Sequence, residues 1–404
     1  MCWIITICVN MDRMLIMVSS RTINYIDRKL FYTASLIHIL QLHVHNMVES
    51  LRVRFLYGRW SINVTKLVKL KYMEKIYIKV KMVLTIEQHI KRKIGVIVLL
   101  VITIAIVTLL GLSKYSFQKA CSRREIYWPD LGTADDWQYK ILTEGYKIKI
   151  ESNRKITITA SDGVELIGHY YERKKNAPVI IFFHGLRSNS YTNGVPIYRI
   201  TKKHGWNLLL VSLRAHGESG GNASTLGVLE RYDCLDWANW VYSELGMQVP
   251  IYLMGISMGG SAVLMSSDLE LPKSVCGIID EAGFTTPLEM IKIGGIKKFH
   301  NRILTDMFMQ SVNIGTKIWG GFDLKDANAC IAVSKTRVPI LIIHGDNDTQ
   351  APVSMAYRIY DSCKSEKQLY IVSGAEHKDC YKSNPEKYES IVSEFIEKHI
   401  LDEE

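Results

Sequence analysis

The sequence predicts an α/β protein, a mostly parallel sheet covered by helices on both faces. Three observations carry that expectation. Mostly apolar runs recur at 178–183 (PVIIFF), 206–213 (WNLLLVSL), 250–254, 275–279 and 338–343, as strands buried on both faces require. Helical stretches fall between or after them, at 196–204, 226–245, 257–268, 353–364 and 385–399. Alternation of the two element types selects a parallel sheet over a sandwich or bundle. Period-two stretches at 146–151 (YKIKIE), 155–160 (KITITA) and 164–171 read as edge strands, and 368–372 as the last strand. Residues 284–337 interrupt the rhythm with helical pieces and paired glycines, and read as a small helical cap.

Net charge is +10 over 404 residues, which would suit nucleic acid if it were spread over a reading surface. It is not. Residues 1–93 hold 16 Lys+Arg against 5 Asp+Glu, leaving 34 against 35 in 94–404. The globular part is neutral, and no nucleic-acid role is expected. The basic stretch 1–93 reads as an N-terminal arm or an over-extended gene start. Residues 94–112 (IGVIVLLVITIAIVTLLGL) carry no charge and are long enough, at about 1.5 Å per residue, to cross a hydrocarbon core. They read as an uncleaved single-pass transmembrane anchor, with 113–140 a linker and 141–404 the α/β domain. Six basic residues in the 20 before the span against four in the 20 after favour an extracytoplasmic domain at the cell membrane. None of the eight cysteines forms a C-x-x-C pair. Cys234 and Cys276 read as buried thiols, while pairing of Cys363 with Cys380 stays open.

The chemistry centres on 255–259, G-I-S-M-G, after an apolar strand and before a helix. A serine at such a sharp turn is pushed out of the sheet, and the glycines let helix and strand approach. Ser257 then needs a base and an orienter. Strand 340–343 ends in H-G-D-N-D, so Asp348 is the expected acid, with Asp346 the alternative. The last strand ends in S-G-A-E-H, which makes His377 the expected base. The order Ser257, Asp348, His377 belongs to one hydrolase class. Backbone N–H groups of Met258 and Leu186 are the expected oxyanion donors, with His184 bracing the loop that carries Leu186. No cofactor or metal is expected.

G-I-S-M-G, F-H-G-L, L-R-A-H-G-E-S-G-G, H-G-D-N-D-T-Q-A-P and G-A-E-H together resemble the α/β-hydrolase superfamily, in its usual order over about 155–400. With the N-terminal span, the chain is most similar to membrane-anchored hydrolases of Gram-positive bacteria, in the esterase and serine-aminopeptidase-like group. The resemblance implies an eight-stranded sheet, Ser257 as nucleophile, Asp348 as acid and His377 as base. It departs at Ser212, where relatives usually carry Asp. The expected activity is hydrolysis of acyl esters, with a peptide substrate or a non-catalytic binding module as alternatives. A peptidase would need an acidic residue in the cap to hold an amine, for which Glu289 and Asp306 are the candidates.

Overall fold

Runs with no polar face become the middle of a sheet. The computed structural model describes residues 64–123, 134–151 and 153–400. Its strands are β1 (Arg154–Thr159), β2 (Glu165–Tyr171), β3 (Val179–Phe183), β4 (Asn207–Ser212), β5 (Ile251–Ile256), β6 (Val275–Glu281), β7 (Ile340–Gly345) and β8 (Lys367–Val372). They form one sheet of eight strands among the described residues, in the order β1-β2-β4-β3-β5-β6-β7-β8. β1, β2 and β4 pair antiparallel, and β3 to β8 with β4 pair parallel. Every residue of β3 to β7 is buried.

Both faces are covered, so successive residues of one strand enter different cores. Ile181, Leu253, Ile278 and Ile342 pack on one side. There they meet Trp237, Leu264 and Ile359 of α5 (Glu230–Glu244), α6 (Met258–Met265) and α10 (Ser354–Ser362). Ile180, Tyr252, Ile279 and Leu341 pack on the other, with Ile197 of α4 (Val195–His204) and Phe395 of α12 (Pro385–Lys398). The two short helices α3 (Ser190–Asn193) and α11 (Cys380–Ser383) close this second face near the strand ends. Register brings the C-terminal ends of the parallel strands level: Phe183 pairs Gly255, Gly255 pairs Asp280, Glu281 pairs Ile343, and Gly345 pairs Val372. Whatever follows those residues therefore gathers at one rim.

The expected edge strand at 146–151 is instead the end of a helix, α2 (Asp136–Ile150). Asp135 and Gln138 form a reciprocal capping box at its start. Leu142, Gly145 and Ile148 are its buried residues, at a spacing of three, whereas Ile150 is exposed. The alternation of Lys and Ile there is a coincidence: Ile148 belongs to the buried helical stripe and Ile150 faces solvent. Cys363 and Cys380 are buried thiols not joined to each other, and Cys234 and Cys276 are buried as expected.

Helix α1 (Val64–Cys121) includes the apolar stretch; among the described residues it is the one helix long and apolar enough to cross a membrane. Among the described residues, those up to Ala105 and those from Ile106 on fall in separate units. Within the second unit, Ser113–Cys121 continues the helix where a linker is expected. Most of the expected arm, residues 1–63, lies outside the described residues. Between β6 and β7 the chain forms α7 (Pro287–Phe299), α8 (Arg302–Gly315), a π-helical turn (Thr316–Gly320) and α9 (Ala329–Val333). Thr286 caps α7 and Asn301 caps α8 through side-chain oxygens.

Candidate active site

Ser257 joins β5 to α6 with φ 57° and ψ −117°, a conformation that costs a non-glycine residue roughly 1–3 kcal/mol. The surrounding glycines make the turn possible. A Cβ on Gly255 would overlap the Gly259 backbone, and one on Gly259 would overlap the Phe183 carbonyl. The Ser257 N–H donates to the Glu281 carbonyl at 2.7 Å, which ties the turn to β6.

The rim brings three of the expected residues into one hydrogen-bonded line. The Ser257 hydroxyl lies 2.8 Å from His377 Nε2, and His377 Nδ1 lies 2.6 Å from Asp348 Oδ2. Asp348 Oδ1 accepts from the N–H groups of Gln350 and Ala351, at 2.8 and 2.9 Å. Burial would raise the Asp348 carboxyl, but hydrogen bonds from His344 and His377 outweigh it and hold it well below the usual carboxylate range. Asp346 is not at this ring: its carboxylate is exposed and accepts the Gly374 N–H at 2.6 Å. Gly345 lets the loops after β7 and β8 meet, since a Cβ there would overlap the Ala375 carbonyl.

The loop after β3 lies beside Ser257; a Cβ on Gly185 would sit 3.5 Å from the Ser257 Cβ. Among the described residues neither the Leu186 nor the Met258 N–H has a protein acceptor. His184 braces this loop as expected. Its Nδ1–H donates to the Gly185 carbonyl at 2.8 Å, and its Nε2 accepts the Leu213 N–H at 3.1 Å. Burial drives its pKa down to about 3, so the ring stays neutral.

Three bracing residues escaped the sequence reading. His216 accepts the Arg187 N–H at 3.0 Å while its Nδ1–H donates to the Arg214 carbonyl at 2.8 Å, and burial lowers its pKa too. Asn193 accepts the Gly185 N–H at 3.1 Å. His344 Nε2 donates to the Ala351 carbonyl at 2.7 Å and stands 3.4 Å from Asp348 Oδ2. The motifs H-G-E and H-G-D marked the two histidines, but nothing in the sequence marked Asn193. Ser212, the departure noted above, accepts the Ser219 hydroxyl at its carbonyl, and Arg214 two residues on clamps Asp233 at 2.8 and 2.5 Å and Asp162 at 2.6 Å. Glu289 of the cap is already held by Arg358 at 2.7 Å and by the Thr285 hydroxyl, and Asp306 lies half-buried on α8. Among the described residues no group of three His, Cys, Asp or Glu side chains is placed to hold a metal ion.

The sheet order and the serine turn are those of the α/β-hydrolase fold. An esterase of Pyrococcus furiosus superposes with a TM-score of 0.52 at 21% identity, covering 69% of this chain and 99% of that one. The uncharacterized protein YqkD of Bacillus subtilis is 24% identical over 240 residues, 59% of this chain and 78% of its own length. The lysophosphatidylserine lipase ABHD12 of Danio rerio is 25% identical over 255 residues, 56% of this chain and 60% of the lipase. No family model matches.

Proposed function

We propose that this protein is a membrane-anchored serine hydrolase that cleaves acyl esters through a covalent acyl-enzyme. The observation that carries this reading is the continuous hydrogen-bonded line from the Ser257 hydroxyl through His377 to Asp348, at a serine held in a strained turn. His377 Nε2 takes the Ser257 proton as the oxygen attacks the ester carbonyl. Asp348 fixes the ring so that Nδ1 bears its proton, and stabilises the imidazolium. Leu186 and Met258 N–H groups receive the oxyanion, in a site where preorganised donors contribute most. His377 then returns the proton to the departing alcohol. Water, deprotonated by the same ring, releases the acid.

Ester chemistry is favoured over peptide hydrolysis because Glu289, one of the two cap carboxylates that could hold an amine, is engaged by Arg358. The names of the Pyrococcus esterase and the Danio lipase point the same way. The apolar stretch 94–112 anchors the chain in the cell membrane with the hydrolase domain outside, and 284–337 serves as its cap. A p-nitrophenyl ester series run beside aminoacyl-naphthylamides tests the reading. Turnover of the esters that vanishes in Ser257→Ala supports it; turnover of the amides alone, or of esters equally by Ser257→Ala, contradicts it.

A further inference from the structure

The last turns of α1 are fastened to the catalytic body at both of its working parts. On the cap side, a Cβ on Gly315 would overlap the Ser113 carbonyl. The Ser311 and Ser116 hydroxyls meet at 3.1 Å, and Trp319 Nε1 donates to the Ser113 hydroxyl at 3.3 Å. On the oxyanion side, Arg187 Nη2 donates to the Lys119 carbonyl at 2.7 Å, at the negative end of the helix. Ser224 N–H donates to the Cys121 carbonyl at 2.7 Å, and Arg123 donates to the Ser219 and Gly217 carbonyls.

These contacts set a height scale. Ser113 is the first residue after the apolar stretch, and Trp319 touches it. Lys119 follows seven residues after Leu112, so Arg187 and its loop stand roughly 10 Å along the helix beyond the apolar end. The polar layer of one leaflet is roughly 5–8 Å thick. Around the junction the side chains are those of a membrane boundary: Tyr115, Ile318 and Trp319 are 55, 51 and 44% exposed. Lys114 sits 5.2 Å over the Trp319 ring. Amphipathic aromatics and snorkelling lysines concentrate at that level. Residues 287–320 of the cap carry five Lys+Arg against two Asp+Glu, although residues 94–404 as a whole are neutral, which suits anionic headgroups.

We propose that the π-helical turn of the cap, through Ile318 and Trp319 with Tyr115 and Lys114, rests in the headgroup layer of the bilayer that holds the apolar stretch. The proposal rests on the anchor reading above and places the rim of Ser257 just beyond the headgroup layer, facing esters of amphiphiles drawn out of it.

The test uses the full chain in phosphatidylglycerol–phosphatidylcholine vesicles. An environment-sensitive fluorophore is attached at Ile318→Cys, Val101→Cys or Met247→Cys, with the signal of the unsubstituted chain subtracted. Quenchers carried shallow in the acyl chain should dim position 318, deep ones position 101, and neither position 247, which precedes the N-terminal end of β5, opposite the rim of Ser257. Position 318 as unquenched as 247, with 101 quenched, overturns the docking while the anchor stands. Position 101 unquenched overturns the anchor and the docking with it. Neither readout depends on hydrolysis. Replacing Ile318 and Trp319 by Ser should lower turnover of a vesicle-borne long-chain ester by roughly tenfold and leave p-nitrophenyl acetate unchanged. Equal loss on both substrates would mean that the turn supports the fold and not the contact.

Discussion

Two pairs of histidines flank Ser257, one on each side of β5, and the same ring is used in opposite ways. His184 and His216 follow β3 and β4; His344 and His377 follow or end β7 and β8. The first pair is buried with backbone partners at both nitrogens, and burial lowers both pKa values. Such rings are fixed, neutral spacers between loops. The second pair converges on one carboxylate. Burial would lower His344, but hydrogen bonding to Asp348 and the Ala351 carbonyl raises it. The partners set what each ring can do. Backbone groups on both nitrogens fix a brace. His344 bonds the Ala351 carbonyl and braces the loop of Asp348. His377 joins a carboxylate at one nitrogen to a hydroxyl at the other, the arrangement a general base requires.

The comparison can be broken, starting from the largest effect. His377→Ala should lower kcat for p-nitrophenyl butyrate by roughly 10⁶-fold with the fold intact by circular dichroism, as losing either end of such a proton path does. Asp348→Asn should lower it by roughly 10⁴-fold, because the ring then takes the wrong tautomer. Asp346→Asn should change it by less than about threefold; a reversal of those two would move the acid to Asp346. His216→Phe should cost roughly ten- to a hundredfold in kcat with KM nearly constant, since it loosens the loop holding one oxyanion donor. His184→Phe should also destabilise by about 1–3 kcal/mol in urea unfolding, leaving the Leu213 N–H unsatisfied. If His216→Phe proves as damaging as His377→Ala, the distinction between braces and base fails.

The smallest effect concerns the carboxylates of β6 under the serine turn. Burial pushes Asp280 and Glu281 up to about 7 each, against normal values near 4. A folded state that keeps protons the unfolded chain has released loses stability as pH rises from about 4 to 7, and the loss levels off above. Asp280→Asn should therefore raise Tm at pH 8 relative to wild type and leave it nearly unchanged at pH 4. A Tm gain that is the same at both pH values would show that packing against Gly260 and Gly283, and not charge, sets the difference.

Much of this was legible in the chain because burial on both faces writes itself into sequence. The runs at 178–183, 206–213 and 250–254 have no polar face, and they became β3, β4 and β5. Ser257 and Asp348 were legible because each follows such a run, and His377 because it follows the last strand in a glycine-containing loop. What failed was local. Residues 146–151 alternate like a strand, yet the capping box at Asp135 and contacts of Gly145 with Thr192 hold them in a helix. Bracing was illegible for a different reason: Asn193 acts through one side-chain oxygen on a backbone N–H eight residues away, and no composition or period records such a bond.

The central claim is that Ser257 is a nucleophile activated by His377. Intact-mass measurement of the full-length protein after exposure to a fluorophosphonate tests it directly. The account predicts one covalent adduct per chain, mapped to the peptide bearing Ser257, absent in Ser257→Ala and slowed by orders of magnitude in His377→Ala. Folded wild-type protein that stays unlabelled, or Ser257→Ala that labels at the same rate, would contradict it.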